Sequence, residues 1–101
     1  MLRSIFLSFV KLHVLYHAAR EPVYGLWLIE ELSRHGYSLS PGTLYPTLHS
    51  LERAGYLISE RRVVGGRARR YYTATPAGHA ALEEAGALIA ELAAEVLEGE
   101  A

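Results

Sequence analysis

Ser40 to Ala74 reads SPGTLYPTLHSLERAGYLISERRVVGGRARRYYTA, and its two halves predict two different structures. Ser40 is an N-cap residue type and Pro41 suits a first helical position. Leu44, Leu48 and Leu51 then recur at helical spacing, and Gly55 is a stop signal. Thr43, Tyr45, Pro46 and His49 lie off that leucine stripe and so belong to the outward face. Pro46 lets the chain bend between Thr43 and Pro46; a start capped by Thr43 instead of Ser40 would place Pro46 in the first turn, where its missing N–H costs little.

The second half predicts a hairpin. One strand starts at Tyr56-Leu57-Ile58, the other runs from Arg69 to Ala74, and Gly65-Gly66 is the turn. Arg61, Arg62, Arg67, Arg69 and Arg70 crowd its tip with no acid between them. Alternation assigns Arg62 and Arg70 to one face and Arg61, Arg67 and Arg69 to the other. Both faces near the tip are then charged, so the tip packs against nothing of its own chain. Arginine carries a permanent charge on a planar fork that matches phosphate, which points to a nucleic-acid backbone as partner. A polar-faced helix followed by a basic hairpin is the layout of a winged helix-turn-helix, mainly α with a small β-hairpin.

Working outward, the N-terminal segment predicts a helix from about Arg3 to Ala18. Leu2, Ile5, Phe6, Phe9, Val10, His13 and Tyr16 mark one face, and Leu12, Val14 and Leu15 widen it. A helix apolar on more than one side buries more than one side, so contacts with both its own core and a second subunit are expected. Its apolar run from Ile5 to Val10 is shorter than the roughly 7–15 residues of a secretory core, so it reads as part of the mature protein rather than a leader. Pro22 ends the helix. A second helix is expected over Tyr24–His35, with Leu28, Ile29 and Leu32 inward and Trp27 at the rim over the neighbouring helix or free to meet a ligand. Thr75-Pro76 opens a last helix running to about Glu98, on which Leu82, Ala85, Ile89, Leu92 and Val96 form a seam suited to a homodimer. The whole is expected to be a single domain over residues 1–101, with a DNA-binding unit over 1–75 and a dimerisation helix over 76–98.

The formal net charge of −1 conceals an asymmetry. Residues 1–82 carry ten basic and five acidic residues, a net of +5, whereas residues 83–101 carry six acidic residues and none basic, a net of −6. A basic body with an acidic C-terminal helix suits phosphate docking on one side only. The absence of cysteine removes disulfides and thiol chemistry and suits a cytoplasmic protein. The absence of aspartate removes a Ser-His-Asp triad, and neither a nucleophile elbow nor a phosphate loop is present, so an enzyme is not expected. His13 and His17 share a helix face, but no third ligand is evident near them, so neither a metal nor another cofactor is expected.

The motifs SPGTLYPTLHSLERAGYL at 40–57 and GGRARRYYTATPAGHAAL at 65–82 resemble those of the PadR family of transcriptional regulators, and the resemblance spans about residues 4–97. It implies a winged helix with one C-terminal helix, dimerised through that helix and the first. It also implies that Ser40, Thr43, Tyr45, Pro46 and His49 enter the major groove while Gly66, Arg67 and Arg69 of the wing follow the backbone; Arg61 joins them on charge. Some members take flat aromatic ligands through a tryptophan on the last helix. Here no aromatic residue follows Tyr72, so a small aromatic effector would have to use Phe6, Phe9, Tyr16 or Trp27. The expected function is a homodimeric regulator, a repressor on a palindromic stretch of double-stranded DNA, with release by a small molecule left open. The alternatives are a protein-interaction module that kept the winged fold, and a ligand sensor at the dimer interface. No membrane association is expected.

Overall fold

The computed structural model of the chain describes residues 1–99, so Glu100 of the acidic tail lies outside the described residues. The apolar N-terminal segment forms α1 (Leu2–Arg20), one residue longer at its start and two at its end than expected. Glu21 then turns to extended backbone ahead of Pro22, as the proline requires. Four further pieces follow: α2 (Gly25–Arg34), α3 (Pro41–Arg53), β1 (Leu57–Val64) and β2 (Arg67–Ala74); α4 (Pro76–Glu98) closes the chain.

The core gathers one stripe from each of the first three helices. Val10 and Val14 of α1, Leu28 and Leu32 of α2, and Leu44 and Leu48 of α3 are fully buried, with Leu57 and Tyr72 from the hairpin root and Val23 from the loop between α1 and α2. The leucine stripe of α3 thus packs as its spacing predicts. For α1, expected to be apolar on more than one side, the structure selects the inward one. Val10, Val14, Leu15 and Ala18 point in, while Leu2, Ile5, Phe9 and Tyr16 remain exposed. With both sides apolar, periodicity alone could not choose between them.

The hairpin turns through Gly65 and Gly66, both at positive φ (58° and 78°), the backbone of a two-residue turn between twisted strands. Such a turn pairs Val64 with Arg67, so odd-numbered residues stand opposite even-numbered ones down to Leu57 and Ala74. Arg61 therefore faces Arg70, and Arg62 faces Arg69. This corrects the expected grouping: Arg61 and Arg70 share the face that carries Leu57 and Tyr72 at the root, and Arg62, Arg67 and Arg69 share the other. Val23 adds a one-residue bridge to Tyr72, with Val23 N–H donating to the Tyr72 carbonyl at 3.0 Å and the reverse bond at 2.7 Å.

α4 starts where its sequence predicts. Thr75 Oγ1 accepts from Gly78 N–H at 3.0 Å and donates to the Gly55 carbonyl at 2.6 Å, tying the helix start to the end of α3. From there α4 lies along α1, whereas α3 packs on α2 and β1. No described helix is long and apolar enough to cross a membrane.

Candidate nucleic-acid interface

The helix that carries the outward residues, α3, begins at Pro41, which settles the start in favour of Ser40 as the flanking residue. The Ser40 carbonyl accepts from Thr43 and Leu44 N–H at 3.0 Å each. Its hydroxyl makes no capping bond; it lies 3.4 Å from the Thr43 hydroxyl. Pro46 sits within α3, yet the helix runs unbroken to Arg53. Gly42 and Pro46 both face solvent, so water can take the carbonyl that proline leaves unbonded. Thr47, turned inward, bonds the Thr43 carbonyl at 2.9 Å.

Tyr45, Pro46 and His49 are exposed together, and Thr43 is half-buried at their edge. Ser50 and Arg53 extend the same exposed face toward the C-terminus. Their spacing of four and seven residues from Pro46 would have found them. Tyr45 is held from below by Gly25 at the start of α2, where a Cβ atom would overlap the phenol ring. The absence of a side chain at Gly25 is what lets the ring lie across the start of α2.

The wing stands beside this face. A groove of about 260 Å³ runs between Tyr45 of α3 and Arg67 to Arg70 of β2, floored by Tyr24, Gly25 and Leu26. Arg69 stacks over the Tyr24 ring, its guanidinium carbon 4.2 Å from the centroid. Tyr24 in turn meets Tyr71 edge-on at 5.4 Å, and Arg62 lies 4.9 Å over Tyr71. These stacks hold long side chains in place without neutralising them.

The five arginines are not equivalent. Arg62 pairs with Glu60, two residues before it, and so carries little net charge outward. Arg70 donates to Ser59 Oγ at 3.2 Å, and Ser59 donates to Glu52 on α3 at 2.7 Å, so it braces the hairpin root against the helix. Arg61, Arg67 and Arg69 make no ion pair among the described residues, and Gly66 at the turn is exposed with open space around it. Tyr24, Gly25 and Arg53 belong to this surface and were not singled out from sequence.

α4 leaves Leu88, Ile89, Leu92, Val96 and Leu97 exposed. Leu82, expected in the seam, instead packs half-buried against the chain's own core, and Ala85 is half-buried. Ile89 of α4 lies beside the exposed Ile5 and Phe9 of α1, so the apolar surfaces of the two helices meet there. Between α1 and α4 lies a cavity of about 330 Å³ lined by Phe9, Leu12, Tyr16, Leu82 and Ile89, with His13, His17 and His35 at one end. Phe9 and Tyr16 of the four candidate ligand residues reach it. Phe6 instead packs on Tyr37 at 5.2 Å, and Trp27 lies edge-on over His17 of α1 at 5.3 Å, the rim position.

The histidines at that end correct a second expectation. His17 does have acidic and imidazole neighbours, Glu31 and His35, supplied by α2 rather than by its own helix. Burial lowers the His17 pKa below 6.5 against the opposing pull of Glu31, and burial with the neighbouring His35 and His17 lowers that of His13.

Comparison with known proteins converges on one family. The Transcriptional regulator PadR-like family profile matches residues 14–84. The transcriptional regulator Rv3488 of Mycobacterium tuberculosis is 65% identical over 91 residues, covering 90% of this chain and 85% of its own. A PadR family transcriptional regulator from Eggerthella lenta superposes with a TM-score of 0.82 at 34% identity, over 97% of this chain and 87% of its own. A PadR-like transcription factor from Bacteroides fragilis gives a TM-score of 0.83 at 26% identity, over 97% and 96%.

Proposed function

The chain belongs to the PadR-like family of transcriptional regulators, and from that premise we propose that it acts in the cytoplasm as a homodimeric repressor on a palindromic operator in double-stranded DNA. The observation that carries this reading is the adjacency of two unlike surfaces: the face of α3 that presents Tyr45, and Arg67 and Arg69 of the wing, on either side of one groove. In the proposed complex Ser40, Thr43, Tyr45, Pro46 and His49 meet base edges in the major groove, and Arg61, Gly66, Arg67 and Arg69 hold the phosphates without reading them. Ser40 and Thr43 supply hydroxyls, and His49 supplies a ring nitrogen that can donate or accept.

A second copy joins through the outer residues of α4 and α1. The exposed Ile89, Leu92 and Val96 of α4, with Ile89 beside the exposed Ile5 and Phe9 of α1, favour that assignment because large exposed apolar surface on a small protein marks an interaction site. Ala85 lies at the edge of the contact and Leu82 beneath it. Two-fold symmetry then sets the half-sites about one helical turn of DNA apart, or a multiple of it. The cavity between α1 and α4 borders the same surface, and a small aromatic effector held there against Phe9 and Tyr16 would bias how the two copies meet.

The test is fluorescence anisotropy with labelled genomic fragments from around the gene. The proposal expects tight binding to one fragment at low salt, with log K falling by about 0.9 for each phosphate neutralised as log salt rises. An absence of binding at low salt to every fragment would refute it.

A further inference from the structure

α1 and α2 cross at a group of three side chains that DNA reading does not use. His17 comes from α1, and Glu31 and His35 come from α2, one helical turn apart. His35 Nε2 lies 3.1 Å from Glu31 Oε2, and His17 Nε2 lies 3.9 Å from the same oxygen. The three donor atoms all fall within 4.8 Å of one another. The other carboxylate oxygen, Oε1, faces Arg34 at 3.5 Å, so Arg34 is drawn to the outer side of the carboxylate and not into the group.

One atom in this group has no partner. His17 Nε2 is buried and makes no hydrogen bond among the described residues. At 3.9 Å the carboxylate is too far for one. A buried polar nitrogen left unbonded is costly, and Glu31 is already engaged by His35 and Arg34. A cation seated between the three donors would satisfy all of them at once. The walls suit such a site: the Trp27 edge closes the His17 side at 5.3 Å, and the His13 ring stacks on His35 at 5.2 Å. The opening is on the side of His35, whose side chain is half exposed.

We propose that His17 Nε2, Glu31 Oε2 and His35 Nε2 bind one divalent transition-metal ion of the zinc class, with a fourth position open to water. Two imidazoles and one carboxylate suit borderline ions such as zinc, cobalt and nickel. Calcium takes six to eight oxygens, and a thiolate-seeking ion would find no cysteine here. With metal–ligand bonds of about 2.0–2.2 Å, a tetrahedral ion holds its donors roughly 3.3 Å apart. The group meets that by drawing His17 and the half-exposed His35 ring slightly closer together. His35 is also the residue that closes α2, five positions before Ser40. The ion would therefore pin α1 to the end of α2 from which the chain enters α3. The site stands on these contacts alone and does not depend on the DNA-reading proposal.

The experiment uses tag-free, chelator-treated full-length protein. Cobalt(II) is titrated in while visible d–d absorption is followed, and zinc is then added in competition. The expected result is one cobalt per chain with the intense absorption of a tetrahedral site, displaced by zinc. Glu31→Gln and His35→Gln should each weaken binding by at least about 100-fold, the upper end of what loss of a mere outer-shell partner costs. His35 is exposed enough that its variant keeps the fold, which far-ultraviolet circular dichroism checks. A zinc-dependent rise in melting temperature should appear in the wild type and vanish in both variants. No cobalt absorption at sub-millimolar protein, or variants that bind as the wild type does, would overturn the proposal.

Discussion

α3 and the outer half of the hairpin both present polar surface to solvent, yet they are anchored in opposite ways. α3 stands on Leu44, Leu48 and Leu51, and its exposed residues inherit their positions from a packed core. The hairpin is packed only at its root, through Leu57 and Tyr72. Beyond Glu60, Val63 and Val64 are themselves exposed, so the tip has strand pairing and arginine stacking but no core. A surface that must recognise base edges needs fixed atoms, whereas one that holds phosphates needs charge and reach. The difference in anchoring matches the difference in assigned work.

The largest effect should come from removing the anchor. Leu48→Ala, at a fully buried position, should cost about 2–5 kcal/mol in urea unfolding, while Val63→Ala at the wing should stay within about 0.5 kcal/mol. Equal losses at the two sites would erase the contrast. Gly25→Ala is the next test. The new methyl overlaps the Tyr45 ring and should cost about 1–3 kcal/mol while moving the ring, detected as a changed near-ultraviolet dichroism. An unchanged spectrum would mean that Gly25 does not set the tyrosine. Thr75→Ala should cost about 1 kcal/mol, because it removes both the cap of α4 and the bond to Gly55, without altering sequence preference on DNA.

Much of the fold was legible because its signals are local. The stripe at Leu44, Leu48 and Leu51 and the Thr75-Pro76 start of α4 depend on neighbours within a turn or two. Where several residues decide jointly, the reading failed. The wing arginines were misgrouped although the turn was expected, because a two-residue turn pairs odd-numbered with even-numbered residues and so puts Arg61 on the face of Arg70. The inward side of α1 is ambiguous because Val14 and Phe9 are equally apolar, and only the positions of α2 and α4 choose between them. The His17–Glu31–His35 group was missed because its donors lie on two helices and meet only after α1 and α2 cross. Tyr24 was passed over as a helix start, and its stacking with Arg69 and Tyr71 exists only once β2 lies beside it.

The proposed division of labour, in which α3 reads sequence and the wing holds the backbone, is tested by salt-dependent binding of two variants to the operator and to a scrambled duplex. Arg67→Ala should weaken both duplexes by the same factor and lower the slope of log K against log salt by about 0.9, one phosphate contact. His49→Ala should leave the slope unchanged and reduce the preference for the operator over the scrambled duplex. An Arg67→Ala variant that loses preference at constant slope, together with a His49→Ala variant that keeps it, would overturn that division.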